Sequence, residues 1–320
     1  MAVIWTLTDG KAGDALQCLG VAEAVLAGTG GRIVEHRVRP RRLYALAMPW
    51  GPPDPADLQA LSEDLAAAAP DIAIASGRRA VTYLRWLKKR SPATFTVFLK
   101  DPRTGTGAAD FIWVPQHDRL RGDNVLATLT SPHRQTPAAL AAARAAARPG
   151  LLALPQPRVA VLAGGPSKDV GFGDRDIARF ALALRMLADG GAGLMVTPSR
   201  RTPEAMTQAM AQALAGRSAW IWDGKASNPY AEMLGLADAF VVTADSANML
   251  SEAASTGKTI HVFMPEGVPA KIRRFVDGLA AHGAVVKFEG RLEISPYEPL
   301  DSTPLIAREI LHRLRLPARH

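Results

Sequence analysis

The sequence predicts an α/β protein made of two successive open-sheet domains. Short β-branched or apolar runs alternate with helical stretches along almost the whole chain, the pattern of a parallel sheet covered on both faces. A proline-rich stretch interrupts this alternation once, near the middle, after which it restarts. The 320 residues, 48% hydrophobic and 21% charged, are enough for about two cores of ordinary size.

In the first half, strands are expected over residues 2–8, 32–38, 71–76, 94–100, 110–115 and 125–130, where Val, Ile, Thr and aromatic residues concentrate. Helices are expected over 14–27, 55–68 and 78–90. An alanine-rich helix over 136–148 runs into Pro149, Pro155 and Pro157, a stiff linker that sets the expected boundary between domains 1–150 and 151–320. Beyond it, strands are expected over 158–163, 193–197, 219–222, 239–243, 259–264 and 285–289. Helices should span 174–188, 203–214, 229–236, 247–256, 269–282 and 303–314, the last packing back on the first domain. Two such domains would face a central cleft, the default ligand site of this architecture.

Lys and Arg outnumber Asp and Glu by 38 to 30, and most of the excess lies in the first 150 residues. That bias suits an anionic partner such as a phosphorylated ligand or an anionic membrane surface. Nucleic acid is not expected, because no helix-turn-helix, zinc or aromatic-stacking motif accompanies the charge. The single cysteine, Cys18, excludes an internal disulfide framework and a structural zinc site. No apolar run reaches the ~18 residues of a spanning helix, and no basic leader precedes the first strand. A cytoplasmic location is therefore expected, peripheral at the inner membrane if the basic half meets lipid.

Candidate chemistry sits where strands hand over to helices. Thr8-Asp9-Gly10-Lys11-Ala12-Gly13-Asp14 follows the first strand, so Gly10, Lys11 and Gly13 are candidates for holding a phosphate at a helix start. Asp9 and Asp14, with His133 further on, are candidates for a general base, and the residues alone do not choose among them. In the second half, Gly164-Gly165-Pro166-Ser167-Lys168 ends a strand, and its glycine amides would approach an anion closely. Ser199-Arg200-Arg201-Thr202-Pro203 offers guanidinium groups from a loop, with Thr202 as the expected helix cap. Ala244-Asp245-Ser246-Ala247-Asn248 opens a small-residue helix whose dipole favours an anion, and Glu252 lies about one and two-thirds turns further on, placed to accept from ribose hydroxyls. Asp245, Ser246, Asn248 and Glu252 complete the candidate nucleotide site. Gly257-Lys258-Thr259 lacks the first glycine of a P-loop and runs from helix to strand. Asp174 and Asp176 open a helix, where Asp is expected as cap rather than metal ligand, so no metal or cofactor is called for. Finally, residues 40–50 mix basic, apolar and aromatic side chains, consistent with a short membrane-interface segment or a core-packed excursion.

Several of these loops, taken with Ala75-Ser76-Gly77-Arg78-Arg79, Asp101-Pro102-Arg103, Pro115-Gln116-His117-Asp118 and Asn228-Pro229-Tyr230, resemble in order the mitochondrial-fission family. That family is known from a plant protein of the mitochondrial outer surface and is widespread in alphaproteobacteria. The resemblance implies a two-domain, glycosyltransferase B-like (GT-B-like) fold. The chain departs from the family at Ala15-Leu16, where an acidic–amide pair is expected before Gln17. The second half is also similar to the nucleotide-sugar domain of the lipid-linked N-acetylglucosaminyltransferase that completes the cell-wall precursor. That similarity implies diphosphate binding by Gly164, Gly165, Ser167 and Ser246 and ribose binding by Glu252. The expected activity is metal-independent transfer from a nucleotide-diphosphate sugar to an anionic or lipid-linked acceptor, the alternative being a non-catalytic membrane adaptor on the same fold.

Overall fold

The computed structural model describes residues 1–167 and 170–315. They form two compact units, Met1–Arg134 with the chain from Asp301 onward, and Gln135–Leu300. Each unit holds a six-stranded sheet in which every pairing is parallel.

The first unit begins with β1 (Ala2–Thr8), α1 (Ala12–Thr29), β2 (Gly31–Arg37), α2 (Arg42–Ala47) and α3 (Pro55–Ala67). It continues with β3 (Ile72–Ser76), α4 (Ala80–Arg90), β4 (Phe95–Leu99), β5 (Phe111–Pro115) and β6 (Val125–Thr128). The strand order is β2-β1-β3-β4-β5-β6. Alternation along the strands sends side chains to two separate cores. Trp5, Ala73, Phe98 and Ile112 pack with Leu61 and Leu84 from α3 and α4. Ile4, Ile74, Val97 and Trp113 pack on the other face with Val21 and Val25 of α1 and with Ile306 and Ile310. The last two belong to the final helix, here named by its range, Thr303–Arg315, which returns to this sheet from the far end of the chain.

The second unit comprises α5 (Pro137–Ala145), α6 (Pro149–Leu152), β7 (Arg158–Ala163), α7 (Asp174–Asp189), β8 (Gly193–Pro198), α8 (Glu204–Leu214) and β9 (Ala219–Ile221). After these come α9 (Tyr230–Leu236), β10 (Ala239–Thr243), α10 (Ala247–Ala254), β11 (Ile260–Phe263), α11 (Ala270–Ala281) and β12 (Val285–Lys287). Its order is β12-β11-β10-β7-β8-β9, with Val159, Val161, Leu194 and Val196 packed against Phe180, Leu184 and Met206 of α7 and α8.

The chain therefore changes unit at 134–135, before the alanine-rich helix and not after it. The reason is packing: Gly235 of α9 comes so close to α5 that a Cβ there would lie 2.6 Å from the Leu140 carbonyl oxygen. Arg148 also donates to Glu232 of α9, at 2.9 Å from Nε. Nor is the segment after Pro149 an open linker. It forms α6, with Pro149 at its first turn and Leu151 fully buried.

Each order reverses direction once, between β1 and β3 in the first sheet and between β7 and β10 in the second. A crevice opens beyond the carboxyl ends of the strands at such a switch point. Register sets the loops side by side there: Thr8 is level with both Arg37 and Ser76, and Leu162 with Val242.

Candidate functional site

At the first switch point the loops after β1 and β3 meet. Asp9, Gly10, Lys11, Arg37, Arg78 and Arg79 line a cavity of about 360 Å³. The Asp9 side chain is only 5% exposed. Its Oδ2 lies 3.5 Å from Lys11 Nζ, while Oδ1 is buried with no hydrogen-bond partner among the described residues. Gly77, at φ 96°, leaves room for this: a Cβ there would sit 3.1 Å from Asp9 Oδ1 and 3.3 Å from Asp14 Oδ2. Gly10, at φ 82°, is covered by the Arg37 guanidinium, whose Nε would lie 1.9 Å from a Cβ. Gly13 stands in the first turn of α1, whose start carries no side-chain cap.

The three candidate bases part company here. Asp14 accepts from Lys100 Nζ, and Lys100 takes the left-handed φ of 82°. His133 is 4% exposed; its backbone N–H donates to Thr303 Oγ1 at 3.0 Å, and its carbonyl accepts from the same hydroxyl at 3.2 Å. That carbonyl also lies against Gly20 of α1. The His133 backbone thus ties the final helix and α1 together, and His133 is not among the residues that line the Asp9 cavity. Of the three, Asp9 is the one that lines the cavity.

At the second switch point the expected phosphate grip is already occupied. Gly164 N–H donates to Thr243 Oγ1 at 2.7 Å, and Gly165 N–H donates to Asp245 Oδ2 at 3.1 Å. Asp245, its side chain wholly buried, also accepts from Thr243 Oγ1 at 2.7 Å and from Arg201 Nη2 at 2.8 Å. The glycines are required by closeness, not by an open approach to ligand. A Cβ at Gly164 would lie 2.2 Å from Asp245 Oδ1, and one at Gly165 2.0 Å from the Arg201 carbonyl oxygen. These amides, Asp245 and Arg201, expected from sequence to hold a diphosphate, bond to one another here and lock the loops after β7, β8 and β10 together.

Thr202 belongs to the same lock. Its hydroxyl reaches the carbonyls of Ala163 and Gly164, at 2.9 and 2.6 Å, and accepts from Ser199 N–H at 2.8 Å. It does not cap α8, whose cap position is Pro203 and which carries no side-chain cap. Ser199 Oγ accepts from Arg201 N–H at 3.2 Å, and Ser167 Oγ from Val170 N–H at 3.1 Å, so both close their own turns. Arg200 stays exposed on this rim. Lys168 lies outside the described residues.

The start of α10 keeps its expected form. Ser246 Oγ accepts from Met249 N–H at 3.4 Å, capping the helix, and half-buried Asn248 lies in its first turn. Further along the same helix, Glu252 accepts a hydrogen bond from the Tyr230 hydroxyl. Burial raises the Glu252 carboxyl to about 7, against the opposing effect of that hydrogen bond. Burial, reinforced by the neighbouring Glu252 charge, keeps the Tyr230 phenol protonated. Arg37, Arg78, Arg79 and Tyr230 are side chains to which residue reasoning gave no role. Arg37 ends an edge strand and Tyr230 opens a helix 22 positions from Glu252, so only the folded chain joins them to these sites.

Among the described residues no group of three or more His, Cys, Asp or Glu side chains is gathered as a metal site. None of the described helices is long and apolar enough to cross a membrane.

Two parallel open sheets in succession, each with its loops gathered at a switch point, define the GT-B-like class. Solved structures agree with this over 98% of the chain. UDP-GlcNAc 2-epimerase from Methanocaldococcus jannaschii matches at TM-score 0.59 and 9% identity, with 99% of that chain covered. The enzyme of the same name from Neisseria meningitidis, bound to UDP-GlcNAc, matches at TM-score 0.54 and 10% identity, also with 99% covered. Acinetobacter baumannii MurG matches at TM-score 0.50 and 12% identity, with 91% covered. Within that class, the chain belongs to the mitochondrial fission ELM1 family, whose model matches residues 12–314. It is 30% identical over 275 residues to mitochondrial fission protein ELM1 of Arabidopsis thaliana, covering 77% of this chain and 64% of that one. It is also 30% identical over 166 residues to the uncharacterized protein RP120 of Rickettsia prowazekii, covering 49% and 47% respectively. The chain thus spans less than two thirds of either relative's length.

Proposed function

We propose that this protein is a metal-independent glycosyltransferase that takes a nucleotide-diphosphate sugar on the second unit and an anionic or lipid-linked acceptor on the first, at the cytoplasmic face of the inner membrane. The observation that carries the reading is Asp9. A buried carboxylate oxygen without a partner costs about 1–3 kcal/mol or more, and such groups persist where a ligand completes them.

In the transfer, the acceptor hydroxyl oxygen bonds to the anomeric carbon, the bond from that carbon to the diphosphate breaks, and the hydroxyl proton passes to Asp9. Lys11, Arg37, Arg78 and Arg79 suit an acceptor that carries phosphate. On the donor side, the capped start of α10 and Arg200 face the leaving diphosphate, and the Glu252 carboxyl receives the ribose hydroxyls. The occupied amides of Gly164 and Gly165 take no part. Fold neighbours that bind UDP-GlcNAc support the donor class.

The test is consumption of sugar nucleotide by the purified protein in the presence of membrane extract. Asp9→Asn should lower turnover at least about a hundredfold, the scale of a lost general base, while nucleotide binding stays as in the parent. Equal turnover in the two proteins would refute the assignment.

A further inference from the structure

We infer that the segment Arg41–Trp50 is a docking surface for an anionic lipid bilayer, seated directly beside the Asp9 cavity. Three large apolar side chains stand out from it within eight residues: Leu43 is 81% exposed, and Leu46 and Trp50 are each 70% exposed. The segment is not loosely packed. Ala45 and Met48 are buried in the core beneath it, and Thr82 Oγ1 donates to the Gly51 carbonyl at 2.7 Å. Arg41 donates to buried Asp54, at 2.8 Å from Nη2. A well-anchored turn that still leaves large Leu and Trp side chains in water has its apolar side shaped for something outside the molecule. Arg39, Arg41 and Arg42 are exposed on the same stretch, and Arg42 has no ion-pair or hydrogen-bond partner among the described residues. Leu and Trp among arginines is the composition that enters the boundary between headgroups and acyl chains of an anionic membrane.

Arg78 couples this surface to the cavity. Its guanidinium donates to the carbonyls of Met48 and Ala45, at 2.9 Å for the second, while the same residue lines the cavity with Asp9. Lipid under α2 therefore brings phosphate-bearing headgroups to the mouth of the site. This deepens the acceptor side of the proposed function, yet the docking itself does not depend on transfer. Vesicle binding without sugar-nucleotide turnover would refute the enzyme and leave the surface standing.

The experiment is co-sedimentation of the whole chain with vesicles of phosphatidylcholine alone and of phosphatidylcholine with about one third phosphatidylglycerol. The protein should pellet with the anionic vesicles and be released by salt. Leu43→Ser, Leu46→Ser and Trp50→Ser combined should cut the bound fraction about tenfold, and Trp50→Ser alone severalfold, with circular dichroism unchanged. Arg42→Glu should also weaken binding. Absence of binding to anionic vesicles would overturn the inference, as would undiminished binding by both apolar variants. So would a dimer in sedimentation velocity that the triple variant alone abolishes, since the occupant would then be a second copy of the chain.

Discussion

Glu252 shows how one carboxyl carries both a structural cost and a candidate role. Its folded-state value of about 7 stands above the ordinary 4.5 because burial disfavours the charge. The folded state thus holds this proton more tightly than the unfolded chain. The resulting stabilisation is complete below pH 4.5 and is lost as pH rises through 7. Glu252→Gln, which cannot ionise, should match the parent near pH 4 and become more stable than it towards pH 8. The gain should be of order 1–3 kcal/mol, or a few degrees in Tm. Thermal melts across that range check this, and a difference that does not change with pH would contradict it. The same variant should bind nucleotide more weakly, so stability and function would move in opposite directions, as expected of a group retained for its chemistry. Asp9 follows the same logic through an unsatisfied oxygen.

At the scale of elements, the strand ends were legible and their use was not. Thr8-Asp9-Gly10 and Ala163-Gly164-Gly165 both read as strand-to-loop corners, and both lie at switch points. A local pattern cannot tell a glycine that admits a ligand from one that admits the protein's own chain. The partners of Gly164 and Gly165 are Thr243 and Asp245, about eighty positions away. The family resemblance supplied the fold, while the similarity to the lipid-linked transferase placed a diphosphate role on amides that bond within this chain. Helix α5 was legible as a helix but not as part of the second unit, since none of its residues is buried and no apolar stripe indicates its neighbour. The contact of His133 with the final helix was not legible for a similar reason, because its partner Thr303 is 170 positions distant. That contact makes a further expectation. At Gly20→Ala the new Cβ would lie 2.3 Å from the His133 carbonyl oxygen, and backbone must shift. The cost should be about 1–3 kcal/mol, read as a lower urea midpoint. An unchanged midpoint would mean that this segment does not lie on α1.

At the scale of the molecule, two six-stranded parallel sheets of different strand order each gather polar groups at a switch point. One gathers cations and a carboxylate with one unpartnered oxygen; the other gathers a capped helix start and a buried acid held by a tyrosine. The first unit is closed by the final helix, whose Ile306 and Ile310 are fully buried against β1, β3 and β4 neighbours in its core. That arrangement is the GT-B-like plan, and the account stands on the second sheet serving a nucleotide diphosphate at α10 and Glu252. Calorimetric titration of uridine and guanosine diphosphates into the parent and into Glu252→Ala tests this most directly. One of the two diphosphates should bind the parent, with affinity reduced about tenfold or more in the variant, the scale of a lost charge-assisted hydrogen bond. No heat with either nucleotide, or equal affinity in the two proteins, would contradict the account.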